Sequence, residues 1–227
     1  AKSSGAKVHL IHVSLKNQPE IEYAKSAAKE LKLPVSIYIY DECDVEKVLP
    51  RVLWLIEDSD PVKTSVGIPI YWAAENAAKE SLEVLLAGQG ADELFGGYKR
   101  YVNDYLRFSG EFARRRIFND IARMHEINFE KDFKICSFHN VELRLPFATS
   151  RIAKFAIDLP LELKLEPQNN TLRKLVLRQV AKDLGLPQSL IKKPKKAIQY
   201  TTGMNETLKK LAKKKGIPIN EYLQNKF

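Results

Sequence analysis

Apolar and polar positions change their period along this chain. In residues 8–13 the apolar positions Val8, Leu10, Ile11 and Val13 are interrupted by His9 and His12, which predicts a strand. The two histidines have no evident carboxylate or cysteine partner in the sequence and read as incidental strand residues. From Glu20 to Leu31, Ile21, Ala24, Ala28 and Leu31 share one face at helical spacing. Pro34 breaks that helix, and Val35–Tyr40 predicts a second strand, giving a strand–helix–strand unit. Residues 44–55 return to a helical period, with Val45, Val48, Leu49, Val52 and Leu55 recurring and Trp54 read as core. Residues 57–61 are a polar turn. Pro69 suits the first turn of a helix, whose apolar face is Ile70, Tyr71, Ala74, Ala77 and Ala78. Residues 84–87 are a continuous apolar run and read as a buried strand. Strands alternating with helices predict an α/β fold with a parallel, three-layer sheet.

Beyond Tyr98 the strand signals stop and helical patterns continue to the end. Tyr101, Val102, Tyr105 and Leu106 make one stripe. Phe118, Ile121 and Ala122 make another, beside the basic cluster Arg114, Arg115 and Arg116. Ser150 is placed to cap a helix carrying Ile152, Phe155 and Ala156 and stopped by Pro160. Asn170 or Thr171 is placed to cap the next, which carries Leu172, Leu175, Val176 and Val180 and ends at Gly185. Residues 1–5 resemble the last turn of a helix with Gly5 as its left-handed cap. Two parts follow: an α/β part over residues 1–98 and a helical part over residues 99–227. There is no internal repeat. The lysine-rich residues 209–215 read as a solvated helix face.

The stretch that organises the rest is residues 84–98. The apolar run leads into Gly88-Gln89-Gly90, then the paired acids Asp92 and Glu93, then Gly96-Gly97-Tyr98. Glycine lets the backbone turn sharply and a ligand approach it closely. Ligands of open α/β sheets bind at the carboxyl ends of strands. A double acid between two glycine pairs at a strand end therefore favours a ligand or metal site over a plain turn. Two further segments carry chemistry only in company. Residues 142–147, with Glu142, Arg144 and Pro146-Phe147, read alone as a structural salt link. Residues 192–199, with four lysines around Pro194, read as a basic loop able to neutralise a departing phosphate, or equally as a surface patch.

Composition narrows the class. With 227 residues and a formal net charge of +9, the chain favours an anionic ligand, either a nucleotide or a nucleic acid. A lysine-rich solvated surface accounts equally well for much of that excess. No apolar run is long enough to span a bilayer, and no secretory signal opens the chain. Cys43 and Cys136 match no metal or redox spacing, so a cytoplasmic setting is the simplest reading.

Taken together and in order, these motifs resemble the synthetase domain of glutamine-dependent asparagine synthetases and its relative β-lactam synthetase. The resemblance runs through nearly the whole chain. The family signature, roughly Gly-x-Gly-x-Asp-Glu-x-Phe-Gly-Gly-Tyr, is matched by residues 88–98. Its Glu-x-Arg-x-Pro-Phe segment is matched by residues 142–147. A Leu-Arg-x-x-x-Arg-type helix is resembled by residues 171–178, and an Arg-x-Lys loop by residues 193–195. The resemblance implies an ATP-pyrophosphatase fold of the adenine-nucleotide α-hydrolase type. It also implies a two-step reaction: ATP adenylates the side-chain carboxylate of aspartate and releases pyrophosphate, then ammonia displaces AMP to give asparagine. Carried over residue by residue, it makes Asp92 a magnesium ligand. It lays the backbone of Ala87, Gly88, Gln89 and Gly90 against the nucleotide and has Val13 present its backbone to the adenine. Lys195, or Lys196 if the loop shifts by one, falls on the α-phosphate and pyrophosphate. The implied cofactors are ATP and Mg; the implied partners are aspartate, ammonia and a glutaminase domain or subunit, with no membrane and nucleic acid disfavoured.

Departures accompany the matches. The family's Ser-Gly-Gly-x-Asp-Ser pyrophosphate loop and its glutaminase domain are absent from this sequence, so the chain reads as a carboxyl-terminal piece of a longer protein or a homologue that lost these parts. Gln89 stands where many asparagine synthetases carry an acid, and Ala148-Thr149 replaces the usual Leu-Asp. Two rival readings stay open: an RNA-binding or tRNA-modifying relative, and a non-catalytic homologue that completes another subunit. No interleaved aromatic and basic face supports the first.

Overall fold

The structure is a computed structural model that describes residues 1–166, 173–194 and 197–227. Strand β1 (Leu10–Leu15) pairs in parallel with β2 (Val35–Tyr40), in register from Leu10 opposite Val35 to Leu15 opposite Tyr40. Helix α1 (Glu20–Leu31) makes the crossover that a parallel pair requires. The bounds of α1 and β2 are those the periodicity predicts, whereas β1 starts at Leu10 rather than at residue 8. His9 Nε2 lies 2.8 Å from Ser36 Oγ and 3.3 Å from Glu80 Oε2, a polar tie beside the sheet. Lys2–Ser4 forms one 3-10 turn, closed by Gly5 at φ 80° as expected.

Helix α2 (Glu42–Ile56) starts with a reciprocal cap. Asp41 accepts from the backbone N–H of Cys43 and Asp44, and the Asp44 carboxylate accepts from the Asp41 N–H. Helix α3 (Pro61–Lys79) corrects the reading of residues 57–69. Its first residue is Pro61, not Pro69. Asp60 caps it by accepting from Lys63 N at 2.8 Å, and Pro69 is buried inside the helix. Trp54 is also corrected: it is 61% exposed, with the Arg51 guanidinium 5.6 Å from its ring, because α2 buries the stripe of Val45, Leu49, Val52 and Leu53 instead.

Strand β3 (Val84–Leu86) follows, then α4 (Ala91–Leu94), α5 (Lys99–Arg107), α6 (Gly110–Met124), α7 (Glu130–Phe138), β4 (Glu142–Arg144), α8 (Ser150–Asp158), α9 (Leu175–Asp183), α10 (Gln188–Ile191), α11 (Ile198–Thr201), α12 (Met204–Lys214) and α13 (Ile219–Gln224). β4 overturns the expectation that only helices follow Tyr98: it pairs with β3. The alternation that builds it is plain, with Val141, Leu143 and Leu145 buried and Glu142 and Arg144 exposed. β3 itself is not the buried strand that its apolar run suggests, since Val84 and Leu86 are exposed and only Leu85 is half-buried. In α6, Ile121 is buried as expected, but Phe118 and Ala122 are not its companions. Ala113, Ile117 and Ile121 face the core, and Phe118 is exposed. Thr149, not Ser150, caps α8, accepting from Ile152 N.

By compactness the chain divides into two units, each assembled from separate stretches. The first comprises Ala1–Leu85, Lys131–Leu143 and Lys196–Phe227. Its core brings Leu49 and Val52 of α2, Ile68 and Trp72 of α3, Ile135 of α7, Leu208 of α12 and Leu223 of α13 almost wholly out of water. Tyr40 stacks on Trp72 with ring centroids 3.9 Å apart. The second unit comprises Leu86–Glu130 and Arg144–Lys195. Its core gathers Leu94, Phe95, Tyr101, Val102, Ala113, Ile117, Ala156 and Leu165. Asp120 is held there by Tyr101 OH and by Arg100 Nη2, each at 2.7 Å from the same oxygen. The proposed capping residues Asn170 and Thr171, and Leu172, lie outside the described residues.

Candidate active site

The loop between β3 and α4 is pinned at its start by Ala87 N, which donates to Arg144 O of β4 at 3.1 Å. Gly88 is exposed, and a Cβ built on it meets no heavy atom within 4 Å. The fold leaves that space open to a ligand. Gly90 is different: its φ of +85° is left-handed, and a Cβ there comes within 3.3 Å of Phe129 Cζ. Gln89, between them, is half-buried.

The paired acids have opposite environments. Glu93 is 3% exposed; its Oε1 accepts from Tyr98 OH at 2.6 Å and from Asn128 Nδ2 at 2.7 Å. Asn128 is delivered by a single π-helical turn, His125–Phe129, between α6 and α7. Such turns aim a side chain that an unbroken α-helix would carry elsewhere. Burial, and then the Glu93 carboxylate, push the Tyr98 phenol far up, so it stays a protonated donor. Glu93 is thus a structural acid. Asp92 keeps 24% of its side chain exposed, and its Oδ1 lies 3.0 Å from Lys174 Nζ. Gly97 makes room for it: a Cβ at that position would fall 1.8 Å from Asp92 Oδ1 and 2.7 Å from Lys174 Cε. The Gly97 N–H also donates to Asp92 O at 2.7 Å. Gly97 is therefore the glycine that cradles the Asp92 carboxylate, whereas a Cβ on Gly96 would meet Leu165.

Asp92 fits a magnesium that arrives with phosphate oxygens. It is a hard, partly exposed oxygen donor, and magnesium is usually held by one or two carboxylates plus substrate phosphates and water. Among the described residues no group of three or more His, Cys, Asp or Glu side chains is arranged to hold a metal by itself. Lys174 occupies the position that such a cation, or a phosphate beside it, would contend for. Nothing in the linear motif pointed to Lys174, which is far from Asp92 in sequence.

Arg178 was visible only as part of the resemblance. Its guanidinium donates to three main-chain carbonyls: from Nε to Arg173 O at 2.7 Å, from Nη1 to Ile191 O, and from Nη2 to Lys193 O at 3.0 Å. This fan of donors fastens α9 to the stretch that leads into the basic loop. Lys195 and Lys196 lie outside the described residues. Val13 is buried in β1 of the first unit, opposite Tyr38 in the ladder, so its side chain belongs to the core. Glu142 and Arg144 are exposed on β4 either side of the buried Leu143.

Comparison with known proteins adds to this geometry. The sequence profile described as asparagine synthase matches residues 1–116 and 109–225. The chain belongs to the asparagine synthase family. A Methanocaldococcus jannaschii protein, provisionally named glutamine-hydrolysing asparagine synthetase 1, is 34% identical over 95% of this chain and 46% of its own length. The mouse asparagine synthetase domain-containing protein 1 is 30% identical over 66% of this chain and 26% of its own length. A glutamine-hydrolysing asparagine synthetase of Triphysaria versicolor is 23% identical over 81% of this chain and 31% of its own length. The chain thus spans about half, or less, of these family members. No helix among the described residues is long and apolar enough to cross a membrane.

Proposed function

We propose that this chain is the synthetase part of an ATP-dependent amide ligase, which adenylates the side-chain carboxylate of aspartate and passes the acyl group to ammonia, yielding asparagine, AMP and pyrophosphate. The single observation that carries it is the division of labour at residues 92 and 93: one acid is buried as structure, and its neighbour keeps part of its side chain exposed, paired with Lys174 beside Gly97. The open backbone at Gly88 supports close approach by a nucleotide. Family membership supplies the reaction class.

In this reading magnesium supplies charge neutralisation on the ATP phosphates. Asp92 is the carboxylate that would hold it, and Lys174 is the cation that pairs with Asp92 before substrate arrives. Gly88, with no side chain and open space beside it, lets the nucleotide approach the backbone. Lys195, with Lys196 as the alternative, stabilises the charge that develops as pyrophosphate leaves. Arg178 positions that loop through its carbonyl contacts. Ammonia then attacks the acyl carbon, and AMP departs with the bonding electrons.

The test has two halves. Calorimetry with Mg-ATP on the 227-residue chain should show weak binding at most, since the family's second carboxylate sits in the pyrophosphate loop. A protein carrying that loop and its strand upstream should catalyse aspartate-dependent exchange of pyrophosphate into ATP. There Asp92→Asn should abolish exchange, and Lys195→Ala should slow it with the melting curve unchanged. Full exchange in Asp92→Asn would remove the metal assignment and most of the mechanism.

A further inference from the structure

A cavity of about 490 Å³ opens in the second unit, between α6 and the segment running from the end of α8 to Lys164. The proposed ligase chemistry makes no use of it. Its size suits a small organic molecule, for which pockets run to roughly 300–1,000 Å³. The floor is apolar. Ile117, Ile121 and Leu161 are buried core residues, and Ile157 and Leu159 pack against that core.

The wall is charged. Glu111, Arg114 and Arg115 come from α6; Asp158 and Lys164 face them. Glu111 and Arg115 pair with each other at 2.9 Å. Arg116, the third arginine of the basic cluster, is taken by Asp104 at 2.9 Å. That leaves two cations, Arg114 and Lys164, against one carboxylate, Asp158.

Lys164 is the unusual member. The residue is 3% exposed, and its ammonium donates to Ala156 O in the last turn of α8. An ammonium has three N–H donors, and a main-chain carbonyl does not neutralise its charge. Burial, with the nearby Arg114 adding to it, pushes its pKa down to about 8, while Asp158 opposes. Both cations line the same cavity, over an apolar floor.

We propose that this cavity binds a small amphipathic anion, a carboxylate or sulfonate whose apolar body rests on Ile117, Ile121 and Ile157 and whose head lies between Arg114 and Lys164. The anion relieves the repulsion between the two cations and gives the buried ammonium a charged partner. A cationic ligand would add to that repulsion, and a neutral one would leave it in place. A nucleoside triphosphate is a poor fit, because the lining carries a small net positive charge set over an apolar floor.

The probes are 8-anilinonaphthalene-1-sulfonate and its uncharged counterpart N-phenyl-1-naphthylamine, titrated by fluorescence into the 227-residue chain at neutral pH. The sulfonate should saturate at one dye per chain and bind about tenfold tighter than the amine, the size expected of one added charge-assisted contact. Arg114 is exposed at the mouth, so Arg114→Ala should keep the wild-type melting curve and lose most of that preference. Ile157→Trp, which fills the floor, should remove binding of both dyes. Equal affinity for the two dyes, or unchanged sulfonate binding in Arg114→Ala, would overturn the proposal, whatever the outcome for ligase activity.

Discussion

Asp92 and Glu93 are adjacent in sequence and equal in formal charge, yet they are not interchangeable. The Glu93 carboxylate is buried and accepts two hydrogen bonds, so truncating it removes an acceptor from Tyr98 OH and from Asn128 Nδ2. A hydrogen bond to a charged group contributes roughly 1.5–3 kcal/mol. Glu93→Ala should therefore lose stability on that scale in urea unfolding. Asp92→Asn, partly exposed, should stay within about 0.5 kcal/mol of wild type. The reverse order would exchange their roles. Lys164 makes a second test at this scale. Its folded pKa is about 8 against an ordinary 10.5. The unfolded chain holds the proton more tightly, so the residue opposes folding fully below about pH 8, and the opposition lifts as pH climbs toward 10.5. The stability of wild type relative to Lys164→Met should rise between about pH 8 and pH 10.5; a flat difference would show that the ammonium is solvated. The acid pair and its flanking glycines were legible in the sequence. The burial of Glu93 was not, because Asn128, far from it in sequence, supplies one of its two hydrogen bonds.

Elements were read well where one periodicity ran long and poorly where a single residue marked the boundary. The twelve residues of α1 were placed to the residue. The start of α3 was missed because Pro69 and Pro61 both suit a first turn, and only Asp60 beside Pro61 supplies the cap. An acid at that position satisfies a free N–H at the helix start, an effect of about 1 kcal/mol. Asp60→Ala should lower the unfolding free energy by that amount without changing the urea dependence; no change would return the helix start to a later residue. β4 was overlooked for another reason. Its alternation over residues 141–145 is period two, but the charged pair within it drew a chemical reading before a structural one. Phe118 and Trp54 share a lesson. A large apolar side chain near a stripe is not on it unless the period places it there, and Ile117 and Leu53 hold those places.

At the scale of the molecule, the α/β character of the early chain was legible, and the way the chain is partitioned was not. A break at Tyr98 follows the change in pattern along the sequence. Compactness follows burial instead, and burial joins stretches that are far apart in sequence. Ile135, Leu208 and Leu223 are each 0% exposed in the first unit, in the same core as Leu49 and Ile68. Leu15 N donates to Thr202 O at 3.2 Å, so even the end of β1 depends on the last part of the chain. Losing three large buried side chains at once removes several times the roughly 2–5 kcal/mol that one such truncation costs. Stability margins of domains are typically about 5–15 kcal/mol. A fragment of residues 1–98 should therefore fail to fold alone: near-ultraviolet circular dichroism should be flat, and urea unfolding should lack a cooperative transition. Adding residues 99–227 as a separate chain should restore both only if the two pieces associate. Cooperative unfolding of residues 1–98 alone would show that β1, β2, α2 and α3 close a core without α7, α12 and α13.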